Sequence, residues 1–91
     1  MAGPYTLEQA GESVSIETWE APKPTKLCVQ SLDTGHYAGV TVRVLNPGNH
    51  QEEVGTTGGG TNCIERYWGG SFIRVTNSRN DRTVAVKVWT I

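Results

Sequence analysis

Tyr67 and Trp68 stand side by side directly before Gly69 and Gly70, and two adjacent rings followed by bare backbone form the grouping in this chain best suited to holding a ligand. An exposed Tyr or Trp ring gives the apolar face of a pyranose a stacking surface, while nearby Asn, Asp, Glu and Arg groups hydrogen-bond its hydroxyls. Consecutive strand residues point to opposite faces, so the core takes at most one of this pair and the other is left exposed or at an interface. Trp19, the His36–Tyr37 pair and Asn62 lie beside turn residues and complete the candidate set: Tyr67, Trp68, Trp19, Tyr37, His36 and Asn62. The expected surface is one end of the fold, built from Tyr67, Trp68, the loop 58–62 and the His36–Tyr37 loop. For any single tryptophan the simpler explanation is a place in a thin core that needs large side chains.

Other chemistry has less to draw on. The chain holds two His, two Asp and two Cys, and it lacks a Gly-x-Ser-x-Gly elbow, a His-Glu-x-x-His pair and a phosphate loop ending in Gly-Lys-Ser/Thr. Cys63, His36 and Asp33 would serve as nucleophile, base and orienting acid if they met in space, but residues drawn from so small a pool meet by chance, and the expectation is a protein that is not an enzyme. The cluster Gly55-Thr56-Thr57-Gly58-Gly59-Gly60-Thr61-Asn62 offers backbone N–H groups to an anion. No helix start follows it, so the dinucleotide and phosphate-loop readings lose their context and a loop tip is the plain one. Asp33, Asp81 and Glu52-Glu53 sit in separate segments, and the Cys and His residues lack zinc spacing, so neither a metal nor a cofactor is expected. His50-Gln51-Glu52-Glu53 reads as a solvated turn or an edge strand whose charges discourage edge-to-edge aggregation. Cys28 and Cys63 are either two small buried hydrophobes or one disulfide closing a loop of about 35 residues, interior in both cases.

The elements that must position these residues are strands. Val, Ile and Thr supply 25 residues against 10 for Leu, Ala and Met, with 11 Gly, a composition of strands joined by turns. Ninety-one residues, 36% of them apolar, make one core, so residues 1–91 form one domain. Period-two patterns mark strands at Ser13–Trp19, Lys26–Leu32, Val40–Leu45, Asn62–Trp68, Ser71–Thr76 and Thr83–Trp89, with a short one at Tyr5–Leu7. Pro22-Lys23-Pro24, Asp33-Thr34-Gly35, Asn46-Pro47-Gly48-Asn49 and the glycine runs punctuate them. The last two strands, separated by the polar break Asn77-Ser78-Arg79-Asn80-Asp81, read as a β-hairpin at the centre of the fold. The fold class is therefore all-β, a small antiparallel β-sandwich, immunoglobulin-like or jelly-roll-like, of six or seven strands. Ala10-Gly11-Glu12-Ser13-Val14 and Phe72-Ile73-Arg74-Val75-Thr76-Asn77 resemble strand edges of immunoglobulin-like and jelly-roll modules in general.

Charge narrows the partners. A net charge of −1 lacks the basic balance of a nucleic-acid binder, and no apolar run reaches the roughly 18 residues of a membrane helix. Residues 1–20 hold Glu8, Glu12, Glu17 and Glu20 and no base; residues 66–91 hold five basic groups against Asp81 alone. Pairing of the first and last strands in one sheet explains this split, and contact between subunits is the alternative. Met1-Ala2-Gly3-Pro4-Tyr5 has neither a basic nor an apolar leader region, so a cytoplasmic or virion-associated location is expected ahead of classical secretion.

Two functions fit. The first is a non-catalytic, lectin-like recognition module whose aromatic and polar loop residues bind a glycan or a protein partner. The alternative is a viral or phage structural protein that assembles into symmetric homo-oligomers. In both, Val84, Val86 and Val88 face the core, so Val86→Asp should leave the protein unfolded at room temperature by circular dichroism, because an unpaired buried charge costs several kcal/mol.

Overall fold

The computed structural model describes residues 2–33, 35–45, 50–56, 59–78 and 84–91. The turn expected at 46–49 and the parts of the glycine cluster and polar break at 57–58 and 79–83 lie outside the described residues, as do Met1 and Thr34. Eight strands run among the described residues: β1 (Ala2–Leu7), β2 (Ser13–Glu17), β3 (Thr25–Ser31), β4 (Ala38–Val44), β5 (Gln51–Thr56), β6 (Thr61–Arg66), β7 (Phe72–Asn77) and β8 (Val86–Thr90). The strand beyond the expected seven is β5, the edge-strand reading of His50–Glu53.

One sheet has the order β1-β8-β3-β6 and the other β2-β7-β4-β5, all neighbours antiparallel. This is the order of a jelly roll, two Greek keys in two packed sheets. An immunoglobulin-like sandwich would keep the first two strands in one sheet, whereas here only the β4–β5 connection stays within a sheet.

The expected hairpin is accordingly corrected: β7 and β8 lie in opposite sheets, each between two other strands. The apolar side of β7 carries Ile73 and Val75, that of β8 carries Val86 and Val88 with Val84 just before it, and all five are at most 1% exposed. Two strands with such faces bury more by packing across the sandwich than by lying side by side, and the connection 78–85 is longer than the about two to five residues of a hairpin loop. Both strands are central in their sheets, as expected.

The first two strands do pair with the last two, β1 with β8 and β2 with β7, but β1 carries no charge and Glu17 is the one acidic residue within β2. Register sets Lys87 opposite Thr6 and Arg74 opposite Ser15 rather than opposite glutamates. Among the described residues no helix is long and apolar enough to cross a membrane.

Cys28 and Cys63 face one another across β3 and β6 and form a disulfide, with Cα atoms 4.1 Å apart. The expectation that both are interior holds for Cys28 and fails for Cys63, which is exposed. Leu27 pairs with Ile64 on the core side, so the cysteines one position on occupy the outer face. Strand β6 lies at the sheet edge, and Ile64 is its one residue packed against the core. The disulfide therefore anchors a strand that burial holds weakly. Replacing both cysteines by serine should lower unfolding free energy by roughly 3 to 4 kcal/mol, the closure entropy of its loop, as read from urea denaturation.

Candidate functional site

The odd-numbered connections, β1–β2, β3–β4, β5–β6 and β7–β8, lie at one end of the sandwich, which we call distal. The even-numbered connections and the paired residues Ala2 and Thr90 lie at the other, the terminal end. This divides the candidate residues: Trp19, Tyr67 and Trp68 belong to the terminal end, and His36, Tyr37 and Asn62 to the distal end. The single surface expected from the sequence is therefore two surfaces separated by the length of the strands. The reason is the β6 run itself, which starts beside Asn62 and ends just before Tyr67.

At the terminal end, loops 18–24 and 67–71 are laced together. Thr18 donates through its backbone N (3.2 Å) and its hydroxyl to the Ser71 carbonyl, Tyr67 Oη donates to the Pro22 carbonyl, and the Glu20 side chain lies over Gly70 where a Cβ would stand. Gly69 and Gly70 have φ of +70° and +69°, a tight left-handed pair that substituted residues would strain. Trp19 N donates to Thr25 Oγ1 (2.7 Å), and the Lys23 ammonium sits 4.4 Å from the centroid of the Trp19 ring. Both exposed rings, Tyr67 at 55% and Trp19 at 42%, are thus held on braced backbone.

Trp68 is different. It is 6% exposed and belongs to the core cluster, whose only aromatic among the described residues it is. Alternation puts one member of the Tyr67–Trp68 pair inside, and the valine-rich core takes the larger ring. Its indole Nε1 is buried with no hydrogen-bond partner.

Beside Tyr67, a depression of about 410 Å³ is lined by Val44, His50, Glu52, Arg66, Tyr67, Trp68 and Gly69. Glu52 is the hub of its polar wall: Oε2 accepts from His50 Nε2 (3.2 Å), and Oε1 lies 3.4 Å from Arg66 Nε. Arg66 is further fixed by Nη1 donating to the Glu65 carbonyl (2.8 Å). The candidate set lacks these three residues, although a signal was present. Glu52 is in phase with Val54 on β5, so period two turns a carboxylate toward the core side at the strand end. A second, smaller depression of about 230 Å³ is lined by Ala2, Glu17, Thr18, Trp19 and Thr90.

At the distal end the predicted residues make contacts within the fold. His36 Nδ1 donates to Asp33 Oδ1 (2.9 Å), which also accepts from Gly35 N (3.0 Å), and Ser31 Oγ donates to the Asp33 and His36 carbonyls (both 3.1 Å). Tyr37, 45% exposed, lies across the directly opposed Gly39 and Gly55, filling the space a side chain on Gly55 would need. Asn62 Nδ2 donates to the Gly55 carbonyl (3.0 Å), tying the edge of one sheet to the other. His36 and Asp33 do meet, but Cys63 is in the disulfide and offers no thiol. No group of His, Cys, Asp and Glu suited to a metal occurs among the described residues.

Residues 5–91 match the family of unknown function DUF8244, and the chain belongs to that family. An uncharacterized protein of Dictyostelium discoideum is 37% identical over 90 residues, covering 99% of each chain. No solved structure matches.

With Trp68 buried and Tyr67 exposed, the two adjacent rings contribute unequally to stability. Trp68→Ala should cost about 3 to 5 kcal/mol of stability, whereas Tyr67→Ala should cost less than about 1.5 kcal/mol, both measured by thermal and denaturant unfolding.

Proposed function

We propose that this member of the family is a non-catalytic recognition module that binds a carbohydrate at its terminal end. The observation that carries the reading is the depression beside Tyr67, where an exposed, hydrogen-bonded aromatic ring adjoins a fixed row of His50, Glu52 and Arg66. A ring for the apolar face of a sugar and planar polar groups for its hydroxyls are the two requirements of pyranose recognition, and a volume of about 410 Å³ lies within the range of small-ligand sites. Trp19 supplies a second braced ring on the same end. Pre-ordering matters because a side chain already immobilised loses little further entropy on binding. A jelly roll is also used by lectins and by capsid proteins, so assembly into symmetric oligomers is the competing outcome.

The test is a glycan array with the intact protein, followed by calorimetry on any sugar retained. Tyr67→Ala should weaken binding about tenfold or more without loss of fold, and Glu52→Gln should weaken it while leaving Tyr67 in place. A protein that light scattering shows to be a closed oligomer, and that retains no glycan, overturns the reading in favour of assembly.

A further inference from the structure

Strand register arranges the outer face of the β1-β8-β3-β6 sheet in rows. Thr61, Gln30, Lys87 and Thr6 form one row across four strands, and Cys63, Cys28 and Trp89 form the next. Adjacent strands lie about 4.8 Å apart and alternate residues on one strand about 6.8 Å apart. The patch from Thr61 to Lys87 and from Gln30 to Cys28 is therefore roughly 10 by 7 Å, the scale of one sugar ring. A depression of about 390 Å³ occupies it, lined by Pro4, Gln30, Thr61, Lys87 and Trp89.

Its chemistry is specific. The Trp89 indole is half-buried, held beside the buried Cys28 on the neighbouring strand, and supplies a flat apolar surface. The Gln30 amide and Thr61 hydroxyl supply donors and acceptors on one side. Lys87 is half-buried, its register partners Thr6 and Gln30 are uncharged, and no carboxylate among the described residues pairs with its ammonium. A cation placed beside an aromatic floor without an anion of its own is poised for an anionic group on the ligand.

We propose that this face is a second binding site, distinct from the terminal end, and that it takes a carboxylate-bearing sugar ring: a uronic acid unit stacked on Trp89, its carboxylate on Lys87 and its hydroxyls on Gln30 and Thr61. The site is independent of the Tyr67 depression, because β8 and the outer residues of β3 contribute nothing to that one.

The experiment is a nitrogen–proton correlation titration of the intact protein with D-glucuronate and, separately, with D-glucose, each to tens of millimolar at low salt. Glucuronate should shift the Trp89 indole and Gln30 side-chain resonances and bind about fivefold more tightly than glucose. Added salt should narrow that gap, and Lys87→Gln, a change on the outer side of the sheet, should abolish it. Gln30→Ala should weaken both sugars. Equal affinity for the two sugars, a Lys87→Gln variant that keeps the preference, or no shift at Trp89 overturns the proposal. Shifts confined to the Trp19 indole and the Tyr67 amide would overturn it while supporting the terminal-end site, and shifts confined to the Trp89 face would do the reverse.

Discussion

The carboxamide of Asn77 joins the two sheets from inside. Asn77 is the last residue of β7, wholly buried, yet its Nδ2 donates to the carbonyl of Leu7 at the end of β1 (3.1 Å) and to that of Val84 on the approach to β8 (2.8 Å). Its backbone accepts from Gly11 N (2.7 Å) and donates to the Glu12 carbonyl (2.9 Å). A chain that changes sheet at nearly every connection must break its ladder there, and buried carbonyls left unpaired cost about 1 to 3 kcal/mol each. One amide meets two of these at the point where β1, β7 and the start of β8 converge. The placing of Val84, Val86 and Val88 against Ile73 and Val75 depends on that crossing being closed.

Periodicity in the sequence reports which way a side chain faces and says little about which strand lies alongside. The valines of β8 and the phase of β2 and β4 were legible for that reason, whereas the charged run at β5 read equally as a turn or an edge strand. The partners of β7 and β8 were not, since an apolar stripe such as Ile73–Val75 looks the same whether it meets its neighbour across a turn or across the core. Asn77 was read as part of a polar break because a buried amide and a turn amide have the same letter. The candidate site divided for a related reason: Asn62 and Tyr67 are close in sequence, but an extended strand places its two ends far apart.

The two ends of the sandwich use aromatic rings in opposite ways. Tyr37 is held over the opposed glycines Gly39 and Gly55, where it covers backbone that would otherwise be bare. Tyr67 hangs its hydroxyl on the Pro22 carbonyl and leaves its ring to solvent beside Glu52 and Arg66. Exposure alone does not separate the two, at 45% and 55%; what each ring lies against does.

The strand pairing also has a meaning for the order in which the chain becomes structured. The pairs β4–β5, β3–β6, β2–β7 and β1–β8 are nested one inside the next, as in a long hairpin folded over on itself. Only the innermost pair is local, and each outer pair closes a short loop only after the pair inside it has formed. A chain emerging from the ribosome exposes β1, β2 and β3 before any of their partners exists, and β1 finds its only neighbour in the last strand to appear. The apolar faces of β1, β2 and β3 must therefore remain uncovered until β6, β7 and β8 have been made. Folding of this domain is therefore complete only once β8 has been made, and it spreads outward from Ala38–Thr56 toward the β1–β8 pair.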